Sequence, residues 1–180
     1  MNFLKALLII IVILFVNKNI AYAINFNFSP ALLNLIKHQE GFLKSPGKDP
    51  SGLWTIGYGH VLSNRIDLLK NIDKSEATII MIKDLMVIKH QVDSIIIANL
   101  DVNKLEALYA LVYNIGIVSF KKSKLLYDIN HNASLDNIYR DFLSFHYYNK
   151  HYSNVLYRRR SLEWALWMRS SVKSHFFNMG

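Results

Sequence analysis

Glu40, Asp49 and Thr55 fall at the spacing Glu-x8-Asp-x5-Thr, and the threonine sits in the run Trp54-Thr55-Ile56-Gly57-Tyr58-Gly59-His60. Two carboxylates and a hydroxyl within sixteen residues, joined by a Gly/Pro-rich turn, are parts that a glycoside hydrolase uses. One acid protonates the leaving sugar oxygen, while a second, ionised carboxylate positions or activates water, or attacks directly. The hydroxyl can hold that water. Taken singly, each residue has an ordinary reading. Glu40 is a solvated helix-end acid, Asp49 a turn residue beside Pro50, and Thr55 a strand residue. Their joint spacing makes them a candidate catalytic set.

The elements that must position this set can be read locally. Ser29-Pro30 starts a helix, with the serine as cap and the proline at the first helical position. Leu32, Leu33, Leu35 and Ile36 give it an apolar stripe, and Glu40-Gly41 ends it. Glu40 in the last turn faces the negative end of the helix dipole, a placement that suits a proton donor. Residues 44–52 are turn chemistry throughout. From Leu53 to Gly59 the pattern alternates, with Trp54, Ile56 and Tyr58 expected inward and Thr55, Gly57 and Gly59 on an open face. Residues 42–62 thus read as a short antiparallel sheet carrying Asp49 and Thr55 opposite the helix that carries Glu40.

Beyond residue 70 the pattern turns helical. Asp73-Lys74-Ser75-Glu76 has the form of a capping box, and Met81, Leu85, Ile88, Val92 and Ile95 repeat as a buried stripe on a long linking helix. Asp101 can cap a helix through Tyr113 that ends at Asn114-Ile115-Gly116. Shorter helices are expected near 120–130 and 134–146, and a last one from about 154 to 168. The fold class is α+β and mostly helical. A sheet lobe and a helical lobe make one folding unit with a cleft between them. Trp164 and Trp167 share a helix face and read as core, while Tyr147, Tyr148, Tyr152 and Tyr157 could stack on sugars but at irregular spacing.

The chain has 180 residues, enough for one domain with a proper core. Residues 1–23 read as an export signal, leaving 24–180 as the catalytic domain. Lys5 supplies the positive start, Ala6 to Val16 is an apolar run of eleven residues, and Ala21-Tyr22-Ala23 presents small residues for cleavage. Eleven helical residues span about 16 Å, short of the ~30 Å hydrocarbon core. Removing 1–23 takes away Lys5 and Lys18 and leaves +6 of the formal +8. That charge suits an anionic polymer, bacterial wall or nucleic acid alike. Zero Cys excludes disulfides, a thiol nucleophile and Cys-based metal sites, and the seven His are scattered, so no cofactor or metal is implied.

Glu40-Gly41, Lys48-Asp49-Pro50 and Trp54 to His60 resemble the phage-type lysozymes and endolysins of glycoside hydrolase family twenty-four. The resemblance extends over Leu105 to Gly116, over Phe120 with Ser123-Lys124-Leu125-Leu126, and over Leu156-Tyr157-Arg158-Arg159-Arg160 with Glu163. The family's usual Gly-Gly ahead of the last motif is absent, and Asn149 to Asn154 stands there instead. The resemblance implies a lysozyme-like fold. It implies hydrolysis of the β-1,4 bond between N-acetylmuramic acid and N-acetylglucosamine, with Glu40 as acid and with Asp49 and Thr55 holding water, and it implies inversion. It further implies that Tyr113, Asn114 and Ser123 contact substrate and that His60 is structural, in a buried ion pair with Asp84. One arginine of 158–160 is expected to face the cleft and pair with Glu40, and Arg158 is assigned to structural support. Some endolysins of this family keep the N-terminal segment as an uncleaved anchor that later leaves the bilayer.

The expected partner is peptidoglycan, with no nucleic acid and only transient membrane contact through residues 1–23. The expected state is an exported monomer, periplasmic or secreted. A lytic transglycosylase, which needs the glutamate but no water-positioning aspartate, is the nearest alternative. A non-catalytic wall-binding protein is the alternative from another class.

Overall fold

The computed structural model describes residues 28–49, 52–62, 71–148 and 151–169; the expected export segment 1–23 lies outside the described residues. Ser29 starts the first helix as its type predicts. Its Oγ accepts from the Leu32 N–H at 3.2 Å, and Pro30 takes the position where a missing N–H is harmless. Helix α1 (Pro30–Glu40) buries Leu32, Leu33 and Ile36 and stops at Gly41, whose φ of 70° suits only a residue without Cβ. The cap is itself anchored. The Ser29 N–H donates to Glu106 Oε1 at 2.6 Å and its hydroxyl donates to Glu106 Oε2, a carboxylate only 2% exposed.

Three strands follow: β1 (Leu43–Lys48), β2 (Trp54–Gly57) and β3 (His60–Val61). They form an antiparallel sheet in the order β1-β2-β3, with Gly47 opposite Thr55 and Ile56 opposite His60. The register slips between Leu43 and Gly47, where Pro46 has no N–H to give to a ladder. The expected alternation holds for one face only. Ile56 and Tyr58 are buried and Trp54 is half-buried, but Thr55 and Gly57 are buried too. The second face is covered because the long helix packs on it. A Cβ on Gly57 would lie 3.2 Å from Ala77 Cβ and 3.3 Å from Ile72 Cδ1.

That long helix, α2 (Lys74–Asp93), spans about 30 Å. Both halves of its capping box form. Asp73 Oδ1 accepts from the Ser75 and Glu76 N–H groups, and Glu76 Oε2 accepts from the Asp73 N–H. Met81, Leu85 and Val92 are buried along its stripe; Ile95 lies past its end and is half-buried. α2 meets the sheet at its start and the next helix near its finish, where Tyr109 Oη donates to Asp93 Oδ1 at 2.6 Å.

Helix α3 (Val102–Ile115) is capped by Asp101, buries every residue from Glu106 to Val112, and ends at Gly116. The helix expected near 120–130 is two, α4 (Ile117–Lys121) and α5 (Lys124–Asn130). Ser123 starts the second by accepting from the Leu126 N–H at 3.1 Å. α6 (Leu135–Leu143) passes into a 3-10 turn over Ser144–His146 and then into a hairpin, β4 (Tyr147–Tyr148) with β5 (His151–Tyr152). Two-residue strands are too short to show an alternating period, so nothing local announces this hairpin. α7 (Asn154–Trp167) closes the described chain. Trp164 and Trp167 stack at 5.6 Å, with Trp167 buried against Phe142, a core pair.

Glu106→Ala should leave the N–H and hydroxyl of Ser29 without their acceptor. The expected loss is about 1–3 kcal/mol in urea unfolding. A change under about 0.5 kcal/mol, the range of an ordinary surface substitution, would show that the helix start needs no such anchor.

Candidate active site

Glu40 is the last residue of α1, Asp49 follows β1, and Thr55 lies on β2. All three line one groove of about 600 Å³, with Tyr113 and Asn114 from α3. Each is placed by local chemistry. The Asp49 carboxylate holds its own turn: Oδ1 accepts from the Leu53 N–H at 2.9 Å, while the Asp49 N–H donates to the Leu53 carbonyl at 2.9 Å. Thr55 is 6% exposed, and its Oγ1 donates to the Gly47 carbonyl at 3.4 Å, at the long limit for a hydrogen bond.

Glu40 is bound at one oxygen and closely approached at the other. Arg159 Nη2 donates to Oε1 at 2.5 Å, and Oε2 rests over Gly59, where an added Cβ would come within 3.0 Å. With φ at +83°, Gly59 is the residue that lets the hairpin turn approach the carboxylate. Tyr113 holds that turn in place, since its hydroxyl donates to the Tyr58 carbonyl at 2.7 Å. Burial, helped by the charges of Asp84 and Glu40, pushes the Tyr113 hydroxyl far above its ordinary value, so it remains a donor.

Behind Glu40 lies a chain of charges. Arg159 Nε also contacts Glu163 Oε1 at 3.3 Å. Arg160 is fully buried; its Nε lies 2.9 Å from Glu163 Oε2, and its Nη2 donates to Glu163 Oε1 at 2.9 Å and to Asn114 Oδ1 at 2.8 Å. Burial pushes the Glu163 carboxyl up and the two guanidiniums pull against it; burial likewise pushes the Arg160 guanidinium down, with Glu163 opposing.

The structure corrects several expectations. Arg158 is exposed and makes no ion pair among the described residues; Arg159 meets Glu40 and Arg160 enters the core. Steps of about 100° per residue decide this, because only 159 and 160 share a face with Glu163. His60 Nδ1 lies 2.9 Å from Asp84 Oδ2 as anticipated, but the two side chains are 36% and 30% exposed, so the link is not buried. Ser123 is not in the groove lining among the described residues. It caps α5, and its hydroxyl donates to the Phe120 carbonyl at 2.7 Å. Tyr113 and Asn114 do line the groove, yet the Tyr113 hydroxyl and the Asn114 Oδ1 are engaged by Tyr58 and Arg160. Sequence reasoning missed the apolar lip of Leu43, Leu53 and Val61, all lining residues that are 42–52% exposed. The signal available was large aliphatic side chains at both ends of a polar turn. Among the described residues no three His, Asp or Glu side chains gather into a metal-sized cluster.

Residues 37–163 match the phage lysozyme family. The chain belongs to that family. It is 36% identical over 91 residues to a SAR-endolysin of Enterobacteria phage P21, a match covering 51% of this chain and 54% of that protein. The chain thus spans about half the length of the sequence relatives it matches. Among solved structures, the muramidase domain of SpmX from Asticaccaulis excentricus superposes with a TM-score of 0.70 at 28% identity, covering 79% of this chain and 97% of that one. A mutant of P22 lysozyme superposes with a TM-score of 0.65 at 25% identity, over 79% and 98% of the two chains. This member of the family therefore shares the lysozyme fold, with Glu40, Asp49 and Thr55 on the groove between its lobes.

Two substitutions separate buried from exposed charge. Glu163→Ala strands Arg160 without a counter-ion and should cost about 3–5 kcal/mol by denaturant unfolding. Asp84→Asn, at a pair one-third exposed, should cost no more than about 1 kcal/mol and leave activity unchanged. Equal losses for the two would mean that burial does not set the strength of these pairs.

Proposed function

We propose that this phage lysozyme family member is an exported peptidoglycan hydrolase that cuts the β-1,4 bond between N-acetylmuramic acid and N-acetylglucosamine. The observation that carries the reading is one groove lined by Glu40, Asp49 and Thr55 in a chain of this family. Glu40 delivers its proton to the glycosidic oxygen as the C–O bond breaks. For that step the leaving oxygen takes the place of Arg159 beside the carboxyl. Asp49, with Oδ1 accepting from the Leu53 N–H, orients a water together with Thr55 Oγ1, whose bond to the Gly47 carbonyl is long. The water adds its oxygen to the anomeric carbon, and its proton passes to Asp49. Attack from the face opposite the leaving group gives inversion. Fixed charges and dipoles in the groove stabilise oxocarbenium-like charge.

The apolar lip of Leu43, Leu53 and Val61 supports a sugar substrate, because pyranose rings present C–H faces to such side chains. The likeness to a SAR-endolysin supports the reading of residues 1–23 as an export segment and of the protein as periplasmic or secreted.

Glu40→Gln keeps an acceptor for Arg159 but has no proton to give. Clearing of a peptidoglycan suspension should slow by about 100-fold or more while the circular dichroism melt is unchanged. Clearing at the parent rate would falsify the assignment. Mass spectrometry of the released fragments separates hydrolysis, which adds water, from transglycosylation, which leaves an anhydro sugar.

A further inference from the structure

On and beside the β4–β5 hairpin lies an aromatic cluster that does not line the groove. Tyr147 and Tyr152 pair across the β4–β5 hairpin edge to face, with ring centroids 6.3 Å apart at 82°, and Tyr157, in the first turn of α7, lies 6.1 Å from Tyr152 with its ring tilted by 35°. The His146 ring sits among them, 4.2, 5.0 and 6.0 Å from Tyr147, Tyr152 and Tyr157. The cluster is built on anchored backbone. The Ser153 N–H donates to the His146 carbonyl at 3.0 Å, and the Ser153 hydroxyl caps α7. Even so, Tyr147 and Tyr152 are more than half exposed and Tyr157 is 37% exposed. Among the described residues none of the three phenol hydroxyls has a hydrogen-bond partner.

We propose that Tyr147, Tyr152 and Tyr157 form a stacking platform for sugar rings of the glycan strand outside the catalytic groove. The inference rests on the glycan-cleaving function above. The occupant follows from the surface chemistry. The faces of aromatic rings carry negative charge and attract the weakly positive C–H face of a pyranose. The free phenol hydroxyls meet the hydroxyls on the sugar's edge. A wholly apolar partner would leave those hydroxyls dry, at a desolvation cost. The position also fits a single long strand. Tyr157 lies on α7, the helix that also carries Arg159 to Glu40 and Arg160 to groove-lining Asn114.

The test uses the full chain carrying Glu40→Gln, so that the strand stays intact, and measures co-sedimentation with insoluble peptidoglycan. Adding Tyr152→Ala should weaken binding roughly fivefold, and Tyr147→Ala with Tyr152→Ala further, at unchanged melting temperature. Tyr152→Phe, which keeps the ring, should retain most of the binding. Unchanged binding in the double variant overturns the platform. An equal loss in the Phe and Ala variants overturns ring stacking. Loss of binding to phosphatidylglycerol vesicles, with peptidoglycan binding intact, overturns the proposal in favour of a membrane-facing surface. Failure of the hydrolase assignment is read separately, in the clearing rate of the chain with Glu40 intact, and leaves this binding assay interpretable.

Discussion

Glu40 is tied through Arg159 to Glu163, and Glu163 to Arg160 and on to Asn114, and the rest of the site depends on this chain of charge. It joins the C-terminal end of α1, the middle of α7 and the C-terminal end of α3. Two carboxylates and two guanidiniums alternate, so opposite charges offset one another within the cluster. Taken singly, any of these groups would resist burial by several kcal/mol. Together they place an acid at the base of a groove with its orientation set from behind. A helix end alone would leave Glu40 free to swing into solvent.

The other wall is held by short-range bonds of a different kind. Asp49 is fixed by the turn it caps, and Thr55 by strand pairing with Gly47. The Tyr113 hydroxyl, kept protonated by burial, joins α3 of the helical lobe to the hairpin turn of the sheet lobe. Gly59 lets that turn settle on Glu40. Glu40 is therefore bound from the helical lobe by a guanidinium and closely approached from the sheet lobe at Gly59.

Much of this was legible in the chain itself. The caps at Ser29, Asp73 and Asp101, the stops at Gly41 and Gly116, the stripe through Met81 and Leu85, and the sheet over 42–62 all appear where residue type places them. The Glu-Asp-Thr spacing pointed to one groove, and the groove contains all three. The errors share a cause. Thr55 and Gly57 were read as an open face because alternation describes a strand alone, and it cannot report that α2 lies across its second side. Arg158 was assigned a role that falls to Arg159 and Arg160, because a run of three identical residues carries no mark of helix rotation. The role of Glu106 as the anchor of Ser29 went unseen because the two lie far apart in sequence.

The sequence by itself determined where helices begin and end, which turns form, and which three side chains are the candidates for chemistry. Those outcomes rest on sterics and hydrogen bonds between residues a few positions apart. Only the tertiary structure decided which arginine holds the acid, that Glu163 would share two guanidiniums in the core, and that three tyrosines from a hairpin and a helix would gather on one surface. Such contacts depend on the rotation and packing of elements distant in the chain. A difference of one residue turns a helical side chain by about 100° and changes its partner.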